Sequence, residues 1–231
     1  MVNVTASGGR VAEGDSSYET LTFTIQLDDV ATEQVAVPWR LISGAAQGES
    51  DTDYTGGSYT TGIEYFSPGT TLREVSFYPA GDFDAEPDES VILEILRPDG
   101  AQLSGNAVSS QVVGWIVDDD GFATPRSLFV SSPLVMEGDS GGTQVTFDLE
   151  LSRPADREYS IPYALGGSAT PGEDYADKSG TVVFATGQSK ASITVRIDGD
   201  RELEGLEFVD LLLDLPSGIE ESRGGRATIV D

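Results

Sequence analysis

A single long internal repeat constrains this chain more than any other feature. Val11-Ala12-Glu13-Gly14-Asp15 returns as Val135-Met136-Glu137-Gly138-Asp139, 124 positions from Glu13 to Glu137. The register then holds: Thr22-Phe23-Thr24-Ile25-Gln26-Leu27 answers Thr146-Phe147-Asp148-Leu149-Glu150-Leu151, and Pro38-Trp39 answers Pro162-Tyr163. Solenoid units repeat every 20–50 residues or so, so a repeat of this length is a whole domain copied. Two domains, 1–120 and 121–231, each have a length that can bury a core of its own. The chain stops directly after the strand-like run Ile229-Val230-Asp231 and reads as an excerpt of a longer protein.

Within each copy the apolar residues alternate. Leu21, Phe23, Ile25 and Leu27 form one such set, Val35, Val37, Trp39 and Leu41 the next; Val145, Phe147, Leu149 and Leu151 open the second copy. Period-two runs broken by Gly, Pro, Asp and Ser predict half-buried strands, and no segment carries a helical period. The expected fold class is all-β: two tandem seven-stranded, immunoglobulin-like antiparallel sandwiches. In the first copy the strands are predicted near Val2–Ala6, then Thr20–Asp28, Val35–Ile42, near Ile63–Phe66, Arg73–Tyr78, Ser90–Arg97 and Gln111–Val117. Pro38 and Pro162 fall at equivalent places in the third strand, where a missing N–H predicts an edge strand or a bulge. Trp115 is out of phase with Gly114 and Ile116, so it is expected on the outer face as an exposed or partly covered edge aromatic rather than a partner contact.

If successive strands run oppositely, the odd-numbered strands all finish at one pole. That pole collects Glu13 and Asp15, Asp51 and Asp53, then Asp82, Asp84, Glu86, Asp88 and Glu89, and finally Asp118, Asp119 and Asp120. In the second copy the same loops hold Glu137 and Asp139, Glu173 and Asp174, then Asp198, Asp200, Glu202, Glu204 and Glu207, and Asp231. The other pole is less acidic. Carboxylates gathered this closely repel one another unless a cation stands between them.

Composition narrows the chemistry. Forty acidic residues against 13 basic give a net charge of −27, which argues against nucleic acid and anionic membrane as partners. With no histidine and no cysteine, there is no thiol chemistry, no zinc site built on those side chains and no Ser-His nucleophile. Any metal must be held by oxygen. Calcium, taking 6–8 oxygens at roughly 2.3–2.6 Å, fits many carboxylates on loops better than magnesium, which keeps its waters. An EF-hand is excluded: counting from Asp82, the sixth residue is Pro87 and the twelfth Leu93; from Asp198 they are Leu203 and Val209. Paired carboxylates can hydrolyse glycosides, but these sit on an open pole without aromatic subsites, so no enzyme is expected. No signal peptide and no membrane-length apolar run is visible. Asn3-Val4-Thr5 matches a glycosylation sequon, a short pattern of little weight.

The ordered segments Val11 to Asp15, Asp53-Tyr54, Phe66 to Gly69, Asp82 to Glu89, Pro98 to Gly100 and Ile116 to Asp120 resemble the Calx-beta motif of sodium–calcium exchangers and many extracellular proteins. The second copy is closer still over Ser168 to Tyr175. The resemblance covers nearly the whole chain. It implies Ca²⁺ ligation by Glu13, Asp53, Asp82, Glu86, Glu89, Asp118, Asp119 and Asp120, and by Glu137, Asp174, Asp200, Glu204, Glu207 and Asp231. Members with full sites often open the loop after the fifth strand with paired aspartates; here Gly81 and Gly199 take the first place of each pair. Tyr54 and Tyr175 are expected to pack rather than ligate.

The expected function is a pair of calcium-binding modules of a larger secreted or cell-surface protein, bacterial by preference, with Ca²⁺ stiffening the hinge between them. An intracellular place stays open, because family members occur on both sides of membranes. Expected partners are calcium and another protein or matrix component, without nucleic acid or membrane insertion, and the excerpt is expected to be monomeric. The alternative is a metal-independent adhesive or spacer sandwich whose acids serve solubility in salt.

Overall fold

The computed structural model describes residues 2–14, 19–43, 54–55, 61–81, 83, 86–103, 107–120, 125–138, 140–176, 179–201 and 205–230. The chain divides into two compact units, Met1–Pro125 and Arg126–Asp231. The first holds β1 (Val2–Gly8), β2 (Arg10–Ala12), β3 (Leu21–Leu27), β4 (Val35–Ser43), β5 (Tyr54–Thr55), β6 (Thr61–Phe66), β7 (Leu72–Pro79), β8 (Glu89–Leu96), β9 (Ala101–Leu103) and β10 (Ser109–Val117). The second holds β11 (Arg126–Val130), β12 (Leu134–Met136), β13 (Gly141–Leu151), β14 (Tyr159–Gly167), β15 (Gly180–Phe184), β16 (Lys190–Gly199), β17 (Glu207–Leu213), β18 (Ile219–Arg223) and β19 (Gly225–Val230). All regular elements among the described residues are strands.

Each unit is two facing sheets. Their orders are β5-β7-β3-β1-β9 and β2-β10-β8-β4-β6 in the first unit, and β16-β13-β11-β18 and β12-β19-β17-β14-β15 in the second. The alternating residues fill the space between. Phe23, Ile25, Val37, Leu93 and Ile95 are fully buried in the first core, as are Phe147, Leu151, Ile161, Phe184, Ile197 and Val209 in the second. Phe77 stands edge-on to both Phe23 and Trp39, at centroid distances of 5.9 and 6.4 Å. Such pairs add about 0.5–1.5 kcal/mol beyond area burial.

The first predicted strand is in fact two. It begins in one sheet as β1 and crosses at Gly9 to the other as β2; β11 and β12 repeat the crossing through Ser131–Pro133. The second half lies parallel to the last strand, Val11 opposite Ile116 and Val135 opposite Ile229. Parallel strands end together, so the turn after β2 and the end of β10 share a pole.

Pro38 does not lie on an edge, because β4 runs between β8 and β6. The ladder is interrupted there instead. Trp39 pairs with Ile95, but Ala36 pairs with Asp99, so the partner strand advances four residues while β4 advances three. The extra residue makes a bulge beside the proline, which has no N–H to place. Pro162 likewise precedes the start of the β14–β17 ladder at Tyr163 and only accepts, from the Asp214 N–H at 3.0 Å.

Trp39 and Tyr163 share a further device. A Cβ at Gly62 would overlap the Trp39 ring, and one at Gly180 would lie 2.8–2.9 Å from Tyr163. The glycine opposite each aromatic leaves the ring a bed. Gly62→Ala is expected to destabilise the first unit by about 1–3 kcal/mol, the usual cost of overpacking. Urea unfolding followed by tryptophan fluorescence measures it, and an unchanged midpoint would show that the ring has room.

Trp115 is on the face turned away from the core, as its phase requires, but it is not partly covered. It is fully buried, as are Ile92 and Val113 on the same face. Asn3 is held by its strand: its backbone N–H donates to Asp28 Oδ1 at 2.8 Å, and its Oδ1 accepts from Gln102 Nε2 at 2.9 Å. The Asn3 amide hydrogen bond also holds the Asp28 carboxyl below the ordinary range.

Candidate functional site

The acidic pole is assembled by backbone contacts between three loops. The Glu13 N–H donates to Val117 O at 2.9 Å, extending the β2–β10 pairing by one residue. Next, the Gly14 N–H donates to Asp119 Oδ1 at 2.9 Å, and the Glu86 N–H donates to Asp118 Oδ1 at 3.1 Å. Glu89 opens β8 opposite Ile116. Glu13, Glu86, Glu89, Asp118 and Asp119 are therefore brought to one pole, and Asp120 follows them with its Oδ2 buried. Charge-assisted acceptance by Asp118 and Asp119 is stronger than between neutral groups, so these aspartates fasten the loops as well as charge them.

The second unit repeats the arrangement in part. The Glu137 N–H donates to Val230 O at 2.9 Å, the counterpart of the Glu13 bond. Glu207 opens β17 opposite Ile229. Asp174 caps its own turn, its Oδ2 accepting from the Thr170 N–H, while its carbonyl accepts from the Asp198 N–H at 2.8 Å. Tyr175 is fully buried and bridges to Ile197, so it packs. Asp200 is exposed. Asp53, Asp82, Glu204, Asp231 and the side chain of Tyr54 lie outside the described residues.

Burial marks the residues under strongest local constraint. Glu13, Asp118, Glu137 and Asp174 are all below a tenth exposed. Asp88, absent from the expected ligands, is the least exposed acid of the described residues at 1%. The repeat gave no signal for it, since the residue before Glu207 is Leu206, which is exposed. Among the described residues no three acidic side chains converge closely enough to hold an ion. The donor set is nonetheless all oxygen and suits a hard cation, for which the acids outside the described residues would have to complete the shell.

The opposite pole of the second unit has the contrary character. Arg126 and Arg157 flank the Tyr159 ring at 6.0 and 5.0 Å, and the Tyr159 hydroxyl donates to Asp156 Oδ1 at 2.8 Å. That hydrogen bond, with Arg126 beside it, holds the Asp156 carboxyl low, while burial pushes the Tyr159 phenol up. No helix among the described residues is long and apolar enough to cross a membrane.

The Calx-beta domain model matches residues 4–120 and again 124–230. Adhesion G-protein coupled receptor V1 of Danio rerio is 23% identical over 216 residues, 91% of this chain but 3% of the receptor's length. Among solved structures, CBD12 from CALX1.2 is 17% identical with a TM-score of 0.40, covering 99% of this chain and 98% of its own. The apo-form Calx CBD1 domain is 20% identical with a TM-score of 0.37, covering 51% of this chain and 99% of its own. Matched from end to end by two consecutive copies of one domain model, the chain belongs to the Calx-beta family as a tandem pair.

Proposed function

We propose that the two units are non-catalytic Ca²⁺-binding modules, each taking calcium at the pole where the first, third, fifth and seventh of its predicted strands end. The observation that carries this reading is the fastening of three acidic segments to one another, Glu13 N–H to Val117 O, Gly14 N–H to the Asp119 carboxylate and Glu86 N–H to the Asp118 carboxylate, in an oxygen-only, cysteine- and histidine-free site. Ligands are assigned to Glu13, Asp53, Asp82, Glu86, Glu89, Asp118, Asp119 and Asp120, and to Glu137, Asp174, Asp200, Glu204, Glu207 and Asp231. With the domains divided at 120 and 121, the acidic run Asp118-Asp119-Asp120 opens the link, and a cation there would restrict it. The relative from an adhesion receptor fits a place on the outside of a cell, in a longer protein with a protein or matrix partner.

A second reading has its own support. Asp118, Asp119 and Asp174 each spend an oxygen on a backbone N–H, as structural caps do, and the described acids alone form no ion cage. A spacer sandwich that needs no metal would look like this too. Titration calorimetry with CaCl₂ separates the two. Heat of binding is expected for the wild type, and the first unit's share of it is expected to be lost or weakened at least tenfold in Glu86→Gln/Asp119→Asn, both of which lie in that unit. A flat titration of the wild type overturns the calcium reading.

A further inference from the structure

We infer that Gly81 and Gly199 are positioning residues that lock the loop after the fifth predicted strand onto the turn after the first, before any ion arrives. At Gly81 a Cβ would overlap the Gly14 carbonyl oxygen and lie 2.9 Å from Glu13 O; at Gly199 it would overlap Gly138 O and lie 2.9 Å from Glu137 O. The same pair of carbonyls meets the same glycine twice, although the intervening sequence is six residues longer in the first copy (67 against 61 residues from Gly14 to Gly81 and Gly138 to Gly199). Each lock has two glycine halves with different reasons. Gly14 and Gly138 adopt φ of 75° and 87°, a conformation side chains rarely take. Gly81 and Gly199 have no such φ and are needed only because a backbone passes where a side chain would begin.

The lock fixes more than a loop. Gly14 also donates to Asp119, Glu13 to Val117 and Glu86 to Asp118, so the contact at Gly81 completes a closed circuit through the turn after β2, the end of β10 and the loop after β7. It also bars a carboxylate from position 81 or 199: the volume an aspartate would start from is occupied by a carbonyl. The consequence for ion capacity rests on the calcium reading; the lock itself does not.

Amide hydrogen exchange in excess chelator tests it. In the ion-free wild type, the amides of Gly14 and Glu86 are expected to be protected well beyond those of an open loop. In Gly81→Ala their exchange is expected to rise by about tenfold or more, while core amides such as Phe23 and Leu93 stay unchanged. Gly205→Ala is the control, because nothing lies within 4 Å of a Cβ there and its exchange pattern should match the wild type. Unprotected Gly14 and Glu86 amides in the wild type overturn the lock, and that arm stands even if Gly81→Ala fails to fold. So does a Gly81→Ala protein that exchanges like wild type. Calcium titration of the same samples reads separately: a lock without heat of binding retains this inference and removes the calcium reading.

Discussion

Phe147→Ala is expected to lower the stability of the second unit by about 3–5 kcal/mol, which is enough to unfold many domains of this size outright. Phe147 is fully buried, pairs with Ile193 across the β13–β16 ladder, and lies 3.2 Å from where a Cβ at Gly225 would sit in the facing sheet. Removing the ring leaves a cavity between two hydrogen-bonded sheets, which cannot close around it without breaking their ladders. The loss corresponds to a fall of roughly 12–40 °C in melting temperature, at about 4–8 °C per kcal/mol for a domain near 100 residues. Both tryptophans, Trp39 and Trp115, belong to the first unit. Circular dichroism should therefore lose amplitude early, while the fluorescence midpoint remains that of the wild type. A fluorescence midpoint that falls with the circular dichroism would show that the two units unfold as one.

Calcium should act in the opposite direction. A ligand bound only by the folded state at a hundredfold excess over its dissociation constant adds about 2.7 kcal/mol. For one unit that is a rise of roughly 10–20 °C in melting temperature, reversed by chelator. Asp118→Asn should remove most of the rise in the first unit, followed through its tryptophans. The variant should also be somewhat less stable without calcium, because Asp118 accepts from the Glu86 N–H. A calcium-independent melting temperature in the wild type would count decisively for the metal-free reading. A rise that survives Asp118→Asn would move the ion elsewhere.

The core was legible where buried residues repeat a period of two and do so in both copies, as in β3 and β13. Phe23 and Phe147, or Trp39 and Tyr163, announce their faces twice. What was not legible is short or depends on backbone meeting backbone. The strands β5, β9 and β18 each show too few alternating residues to register, and the crossing from β1 to β2 happens within one residue, Gly9. Trp115 has the outward phase its sequence position gives it, yet its full burial is a tertiary fact that no periodicity contains. At the pole, the sequence singles out acids by repetition, which found Glu13 with Glu137 and Glu89 with Glu207. It put Asp88 at the pole but not among the expected ligands, and its position in the second copy is a leucine. The departures at Gly81 and Gly199 were visible as changes of residue, but their reason lies in a carbonyl arriving from a segment more than sixty residues away.

The parallel pairing of each unit's first strand with its last has a mechanical consequence. The chain enters a unit at one pole along β1 and β2 and leaves at the other along β10; β11, β12 and β19 do the same. Tension applied through the two termini therefore loads these ladders in shear, where several backbone hydrogen bonds must break together, and does not peel them one at a time. Such a bead transmits force along its length, a property that holds whether or not an ion sits at its rim.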